Sequence, residues 1–600
     1  MDLIAGPWQG LDAYAQAVFS GRQAFHFDPH LGLWLEQAAP IEVDLPELGL
    51  TPDQLDGLPT AKIAALLVAV NALKNAGLSP DSSPRVCVVA ASSPETGDLS
   101  GYISRHWDLN GPAVDISAGS DWTAAALEKM DEVLASAGAE FGLLVGVNIP
   151  AAELPDDSPA GDSSSPPSLM YERDTHQLIQ THAAAAVVLR RLEDARKSGD
   201  RIYAVIEASS MGVTSPAAMS EVSTSAGAAL PEVEIIETAA SGSAANHAAE
   251  KLILIGAYPA FADNPSCALE GGAANQGDAG AAAGLLGMIR AALALYHRLI
   301  PAVPGWKAPS DPESWAGSAF YVPDSSRTWF TRPGQTRRLA AVDIAADHGA
   351  LSHVILSRED DSAQRGNHFL ALSEMRLFPL VGSSLNELLA DIDRLQQAMG
   401  NGLPLPQIAR QAYQSSLFAK DAPLGLGLIA ASTDDLGREI EFARKGLPKA
   451  FERGSEWQTP AGSYCTPVPV GRSGGVAFVY PGAFNTFLGL GKDLFQLFPS
   501  LYPRFAQLTR DMGGVLHETS LYPRRMEILS QKELDELEAS LSQDPIAMLT
   551  SGIGLAVLYT RILRNVFGVH PQAAFGYSLG ETSMLFALDI WRDGDAGNQR

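Results

Sequence analysis

Residues 571–581 read PQAAFGYSLGE and contain the motif Gly576-x-Ser578-x-Gly580. An apolar run precedes the motif and a helix-like run follows it, so the sequence predicts a strand, a tight turn and a helix in that order. Glycine on both sides of the serine permits a turn that is too tight for side chains. Such a turn would present Ser578 as a nucleophile at the start of the helix, where the main-chain N–H of Leu579 can face a developing oxyanion.

Composition limits the classes of protein that the chain can represent. It has 600 residues, of which 46% are hydrophobic, and a net charge of −27. Length predicts about three or four domains, and the negative charge argues against a nucleic-acid partner. Cys87, Cys267 and Cys465 lie far apart without metal-ligand spacing. We therefore expect no disulfide framework, no metal site and a cytoplasmic location.

The chain shows no targeting or membrane segment. Its first residues lack a basic segment followed by an apolar core. Arg290 and Arg561 interrupt the two longest apolar runs. We therefore expect no membrane span.

The first 360 residues alternate between helix-like and strand-like patterns, which is typical of an α/β fold with both sheet faces covered. A helix ending at Gly77 precedes a fully apolar strand. Asp278 is expected to cap a long helix. The predicted helices are 61–77, 122–137, 183–197 and 279–299, and the predicted strands are 85–91, 113–116, 141–148, 202–208 and two within 338–356.

The later residues repeat the α/β pattern twice. Strand-like runs at 377–382 and 425–431 each precede a helix, at 385–399 and 433–445. A Gly/Ser/Pro-rich stretch at 453–474 indicates a hinge. A new unit then starts with a buried strand that runs into a Pro-Gly turn at 475–482, and a helix at 545–567 leads to the serine motif.

Four segments resemble the ketosynthase domains of polyketide and fatty acid synthases: 187–207, 234–250, 271–301 and 319–356. The resemblance covers about the first 360 residues. It implies a thiolase-like, condensing-enzyme α/β/α/β/α domain made of two related α/β halves. It also implies a dimer through this domain.

The catalytic residues of that family are missing. The segment that carries the cysteine reads VDISAGS here, at 114–120. The two catalytic histidine positions correspond to Ala239 and Asp278, and the family lysine corresponds to Ala273. Decarboxylative condensation needs a thiolate and two imidazoles, which these residues do not supply. We therefore predict an inactive ketosynthase-like domain, and His353 matches a position that is structural in the family.

Residues 475–600 resemble the first part of the acyltransferase domain of the same synthases. The opening GVAFVYPGAFNTFLGLG matches the family start, and GYSLGE, from Gly576 to Glu581, matches its Gly-His-Ser-x-Gly-Glu motif. By this resemblance Ser578 accepts the acyl group. The main-chain N–H of Ala483, in the place of the family glutamine, serves the oxyanion hole with Leu579. Tyr577 replaces the family histidine.

Together the two resemblances point to PfaB-type subunits of omega-3 polyunsaturated fatty acid synthases; related glycolipid-type synthase subunits remain an alternative. The expected domains are a ketosynthase-like domain (1–360), a small α/β linker domain (361–474) and the N-terminal portion of an α/β-hydrolase-like acyltransferase core (475–600). The family's base is a histidine far downstream of the serine, and no histidine follows Ser578 here. We therefore expect the chain to be a fragment whose acyltransferase domain continues beyond residue 600. A decayed domain and a domain completed by a partner chain are the alternatives.

Three functions follow from these patterns. The first is an acyltransferase subunit that moves an acyl group from coenzyme A, through a Ser578 ester, to the phosphopantetheine thiol of an acyl carrier protein. The second is a non-catalytic scaffold that pairs with a ketosynthase-bearing subunit. The third is a serine hydrolase or thioesterase with the same elbow. The identity of the acyl group stays open, and no bound cofactor is indicated.

Overall fold

The computed structural model describes most of the chain. The described residues are 1–28, 33–37, 39–80, 84–117, 119, 121–136, 138–150, 170–172, 179–227, 232–239, 244–258, 265–359, 368–371, 373, 375–419, 421–470, 474–483 and 485–592. The chain forms two compact units. The first contains residues 1–365, 483–558 and 591–600, and the second contains residues 366–482 and 559–590.

The strands, in chain order, are β1 (Asp2–Ala5), β2 (Trp8–Gln9), β3 (Phe25–Asp28), β4 (Leu33–Glu36), β5 (Val86–Ser93), β6 (Ala113–Asp115), β7 (Phe141–Asn148), β8 (Ala183–Leu189), β9 (Val205–Val213), β10 (Val233–Glu237), β11 (Cys267–Glu270), β12 (Leu299–Ile300), β13 (Phe320–Tyr321), β14 (Arg327–Thr328), β15 (Arg337–Ala345), β16 (Leu351–Glu359), β17 (Arg376–Gly382), β18 (Leu424–Ala430), β19 (Trp457–Gln458), β20 (Tyr464–Cys465), β21 (Ala477–Tyr480) and β22 (Ala573–Gly576).

The helices are α1 (Leu11–Ser20), α2 (Leu45–Leu48), α3 (Pro52–Asp56), α4 (Thr60–Asn75), α5 (Leu99–His106), α6 (Trp122–Ala135), α7 (Leu192–Ser198), α8 (Pro216–Ser225), α9 (Ala244–Ala257), α10 (Ala273–Gln276), α11 (Ala283–His297), α12 (Pro312–Trp315), α13 (His368–Ala371), α14 (Leu385–Gly400), α15 (Leu405–Phe418), α16 (Thr433–Arg453), α17 (Leu494–Leu497), α18 (Leu501–Ala506), α19 (Met512–Leu516), α20 (Glu518–Leu521), α21 (Gln531–Ser542), α22 (Pro545–Asn565) and α23 (Leu579–Ala587).

Two six-stranded sheets build the body of the first unit. Their strand orders are β2-β1-β8-β7-β5-β6 and β13-β11-β10-β15-β16-β9. Helices α6 and α11 lie between the sheets and contact both, whereas α4 and α5 cover the first sheet and α8 and α9 cover the second. The result is the predicted α/β/α/β/α layering, so the thiolase-like fold is confirmed.

Apolar strands explain why the sheets are covered on both faces. All eight residues of β7 are buried, and seven of the eight in β5 are. These two strands pair in parallel from Val86–Phe141 to Ser93–Asn148. Continuous apolar strands of this kind lose their exposure only when a layer packs on each side.

One predicted element is wrong. The helix expected over 183–197 is instead a strand, Ala183–Leu189, followed by a short helix, Leu192–Ser198. This strand pairs antiparallel with β7 over 183–189 and with β1 over 183–186. Alanine favours helices in isolation, but burial between two strands outweighs that preference because the backbone groups of the alanine run gain sheet partners on both sides.

The start of the central helix also differs from the prediction. Asp278 accepts a hydrogen bond from the N–H of Gly280 at 2.9 Å, and a 3₁₀ turn at Gly280–Ala282 precedes the α-helix. The α-helix itself begins at Ala283, so Asp278 closes a local turn and does not cap it.

The second unit has its own core. The sheet β17-β18-β20-β19 packs against α14, α15 and α16 around buried residues such as Phe378, Leu428 and Leu436. Helix α15 was not predicted. The same unit contains β21, β22 and α23. The division into domains at residues 360 and 474 stays a prediction.

Candidate functional site

The serine motif lies where two parallel strands end. β21 and β22 pair from Ala477–Ala573 to Tyr480–Gly576, which places the ends of both strands side by side. The chain then turns at Tyr577 and Ser578 and enters α23 at Leu579. Ligands of α/β sheets bind at such carboxyl ends, so the topology places Ser578 where an active site is expected.

Ser578 has a backbone conformation that non-glycine residues rarely adopt. Its φ is 53° and its ψ is −122°. Such strain is retained only where the surroundings enforce it, and it is a feature of the nucleophile elbow. The side chain is exposed, so an incoming ester or thioester can reach it. The predicted strand–turn–helix geometry is therefore present.

The two motif glycines are required by close backbone contacts. A Cβ on Gly576 would lie 2.1 Å from the carbonyl carbon of Gly580. A Cβ on Gly580 would lie 2.2 Å from the carbonyl oxygen of Tyr480. No side chain fits at these distances, so the turn can be this tight only with glycine at both places.

One half of the predicted oxyanion hole lies next to the serine. Leu579 is the first residue of α23, and the first N–H groups of a helix have no partner within the helix. Gly482 approaches from the other strand: a Cβ on it would be 3.9 Å from Cβ of Ser578. Ala483 belongs to the first compact unit, so its pairing with Leu579 stays a prediction.

The remaining motif residues face solvent. Tyr577 is 84% exposed, and Glu581 is exposed as well. The main-chain N–H of Glu581 donates to the carbonyl oxygen of Ser578 at 3.1 Å, which closes the first turn of α23.

Two histidines precede the motif in the sequence. His570 is exposed and His517 is half-buried, and burial lowers the pKa of His517.

Ala239 and Asp278, the residues predicted to replace the two catalytic histidines of a ketosynthase, both make hydrogen bonds. The main-chain N–H of Ala239 donates to Glu250 at 2.8 Å. The carboxylate of Asp278 accepts from the side-chain amide of Gln180. Neither residue offers an imidazole. Ser120, the last residue of the segment in which the family cysteine is missing, lies outside the described residues.

A buried ionic cluster joins α11 to the ends of β10 and β11, and sequence reasoning missed it. Arg290, in the middle of α11, is 0% exposed and lies 3.1 Å from Glu237 and 3.5 Å from Glu270. It also donates to Asn275 at 2.5 Å. Burial raises the pKa of both carboxyls despite the arginine. A single arginine within an otherwise apolar helix was the signal for this cluster.

A second buried group contains Glu250, Asp343 and His353. His353 is fully buried and its Nδ1 lies 2.6 Å from Asp343. Burial raises the pKa of Glu250 to about 8, and the nearby Asp343 contributes to the same rise. These residues join α9 to the second sheet, so their role here is to connect structural elements.

Glu250 predicts a pH dependence of stability. The unfolded carboxyl ionises near pH 4.5, whereas the folded one keeps its proton until about pH 8. Folding therefore takes up a proton in this window, and the free energy of unfolding should fall as pH rises from 5 to 8, by a few kcal/mol at most. Urea unfolding followed by circular dichroism across this range measures the slope.

The variant Glu250→Gln should flatten that slope, because glutamine cannot ionise. Glu221→Gln is the matched control, since Glu221 is exposed on α8. An unchanged slope in Glu250→Gln would show that Glu250 is ionised in the folded protein.

Two helices are long and apolar enough to cross a membrane, which differs from the expectation. They are Gly280–His297 and Pro545–Asn565, and 78% and 50% of their apolar windows are buried within the protein. Both helices remain strongly apolar on average although each contains an arginine. Because the buried core helices of soluble proteins can be equally long and apolar, this is weak support for a membrane span.

Among the described residues, no cluster of histidine, cysteine and carboxylate side chains could hold a metal ion.

Comparison with known proteins shows that this chain is similar to ketosynthases. Residues 182–306 match the beta-ketoacyl synthase C-terminal domain family. The ketosynthase from module 1 of the bacillaene synthase of Bacillus amyloliquefaciens shares the fold, with a TM-score of 0.54 and 18% identity over 74% of this chain and 84% of that one. A second bacillaene ketosynthase, from module 6 in Bacillus subtilis, has a TM-score of 0.51 and 16% identity over 88% of this chain and 97% of that one.

Curated relatives are longer proteins. A polyunsaturated fatty acid synthase subunit of Thraustochytrium sp. is 27% identical over 81% of this chain and 25% of its own length. A phenolphthiocerol/phthiocerol polyketide synthase subunit of Mycobacterium tuberculosis is 26% identical over 89% of this chain and 35% of its own. The chain thus spans about a quarter to a third of these relatives.

Proposed function

Because this chain carries a ketosynthase-like domain and resembles subunits of polyunsaturated fatty acid and polyketide synthases, we propose that Ser578 is the acyl-accepting residue of an acyltransferase. The acyl group would come from acyl-coenzyme A and leave on the phosphopantetheine thiol of an acyl carrier protein. The observation that carries the proposal is the strained backbone of Ser578 between two glycines that admit no side chain.

The transfer has two balanced steps. Oγ of Ser578 attacks the thioester carbonyl, the C–S bond breaks, and coenzyme A leaves as the thiol with the serine proton. The carrier thiol then attacks the ester, the C–O bond breaks, and its proton returns to Oγ. The N–H of Leu579 would stabilise the oxyanion in both steps. By the family resemblance the base would be a histidine downstream of Ser578.

A second function is supported for the first unit by a different observation. By the family resemblance, Ala239 and Asp278 correspond to the condensing histidines, and neither has an imidazole. Ala239 is hydrogen-bonded to Glu250 and Asp278 to Gln180. We propose that this ketosynthase-like domain is a non-catalytic scaffold that pairs with a ketosynthase-bearing subunit. Both functions can coexist, one in each part of the chain.

Covalent labelling tests the acyltransferase proposal. The full-length gene product that contains residues 1–600 is incubated with acyl-coenzyme A of several chain lengths, digested and analysed by mass spectrometry. We expect the acyl adduct on the peptide that contains Ser578 and release by holo-carrier protein faster than by water. An adduct elsewhere would contradict the proposal, and faster release by water would favour a thioesterase.

A further inference from the structure

A cavity of about 870 Å³ opens in the first unit between its two six-stranded sheets. Strand β8 of one sheet and strands β9 and β16 of the other contribute residues to its walls, as do α6, α11 and the stretch 190–204. Neither Ala239 nor Asp278 lines it. The cavity is therefore separate from the vacated condensing site, and its volume is within the range of small-molecule sites, about 300–1,000 Å³.

The interior of this cavity is mainly aliphatic. Its deep lining includes Leu127 and Met130 from α6, Met288 and Ala292 from α11, and Phe141 from β7. Each of these side chains is less than a tenth exposed. A polar ligand would lose hydrogen bonds with water here and regain few, whereas a hydrocarbon chain loses none. Two methionines, with flexible thioethers, suit chains of varying shape.

The mouth is polar. Arg190 stacks on Phe141, with its guanidinium 4.6 Å from the ring centroid, and pairs with Asp200 at 2.6 Å. Arg201 is exposed there and donates to the hydroxyl of Tyr203 at 3.3 Å. Ile206, on the edge strand β9, is half-buried at the same wall. Carboxylates also line the cavity, at Glu128, Asp131, Asp200 and Glu207. An apolar interior with charged side chains of both signs at its lining suits an amphipathic molecule.

We propose that this cavity binds a long acyl chain, with the polar end of the ligand at Arg201. The site is distinct from Ser578, and it gives the ketosynthase-like domain a ligand although it lacks condensing residues. The acyl chain could belong to a free fatty acid or to a phosphopantetheine thioester. Both ligands contain the acyl chain, and the experiment below distinguishes the free acid from the thioester.

Binding of cis-parinaric acid, a fluorescent fatty acid, to the full chain tests the proposal. We expect saturable binding and displacement by saturated fatty acids, with affinity rising about fourfold for each added methylene until the cavity is full. Ile206→Trp and Ala292→Phe fill the cavity from its mouth and from its floor, and each should weaken binding at least tenfold. Ile429→Trp is the matched control, because Ile429 is also half-buried on a strand but belongs to the second unit.

Thermal unfolding of each variant shows whether it is folded, and two independent variants guard against the misfolding of one. Equal affinity in the wild type and in folded Ile206→Trp or Ala292→Phe would overturn the proposal, as would affinity that is independent of chain length. The readout is binding alone, so it does not depend on transfer at Ser578.

Binding of the two ligands to the variant Arg201→Gln distinguishes a free fatty acid from a carrier-bound acyl chain. A several-fold loss for the free acid, with no binding of an acyl-phosphopantetheine, identifies a fatty acid. Equal binding of the thioester, unaffected by Arg201→Gln, identifies a carrier-bound chain. Both results support a site for the acyl chain, whereas failure of both ligands to bind would contradict it.

Discussion

Ser578→Ala is expected to abolish acyl labelling of the full-length protein by acyl-coenzyme A. The hydroxyl is the only group of this side chain that can form the ester, and alanine leaves the turn otherwise unchanged in size. Loss of a nucleophile of this type removes about 10⁶ in rate where catalysis depends on it. Intact-mass spectrometry after a fixed incubation measures the acylated fraction.

Ser520→Ala is the control for this substitution, because Ser520 is exposed and lies outside the motif. It should label as the wild type does. Labelling that survives in Ser578→Ala would place the acyl group on another residue and remove the acyltransferase proposal for this site. The scaffold proposal for the ketosynthase-like domain would be unaffected.

Gly580→Ala is expected to reduce the rate of labelling more than a hundredfold while Ser578 itself is retained. The added Cβ would lie 2.2 Å from the carbonyl oxygen of Tyr480 and 2.8 Å from that of Pro481. Both atoms are backbone, so β21 and α23 must separate. Displacements of about 1 Å at a reacting group can cost about 10² in rate. Time courses of labelling measure the loss.

Gly475→Ala is the matched control in the same unit. A Cβ there has Gln572 Oε1 as its nearest neighbour, at 3.8 Å, so it fits without movement. Its effect on stability should stay within about 0.5 kcal/mol. If Gly580→Ala labels at the wild-type rate, the elbow is not the geometry that activates Ser578.

The serine motif shows how much local sequence can predict. Gly576, Ser578 and Gly580 determine a turn through residue type alone, because only glycine tolerates the backbone contacts at its two ends. The strand before it and the helix after it were predicted, and the helix begins at Leu579.

The segment 183–198 shows the limit of that reasoning. Its alanine-rich start has the composition of a helix, and only the neighbouring strands β1 and β7 make it a strand. The ionic cluster of Arg290, Glu237 and Glu270 could not be predicted either, because it also depends on tertiary contacts. Its members come from two strands and a helix that are separate in the chain, so their proximity depends on how the sheets and α11 pack.

The sequence by itself determined the features that depend on residue type at neighbouring positions: the buried strands, the glycine-flanked serine and the absence of histidine at 239 and 278. Tertiary structure alone decided which strands pair, which charges meet around Arg290 and where a cavity remains between the sheets. The physical reason is that local conformational preferences are short-ranged, whereas burial and charge pairing act between residues that only folding brings together.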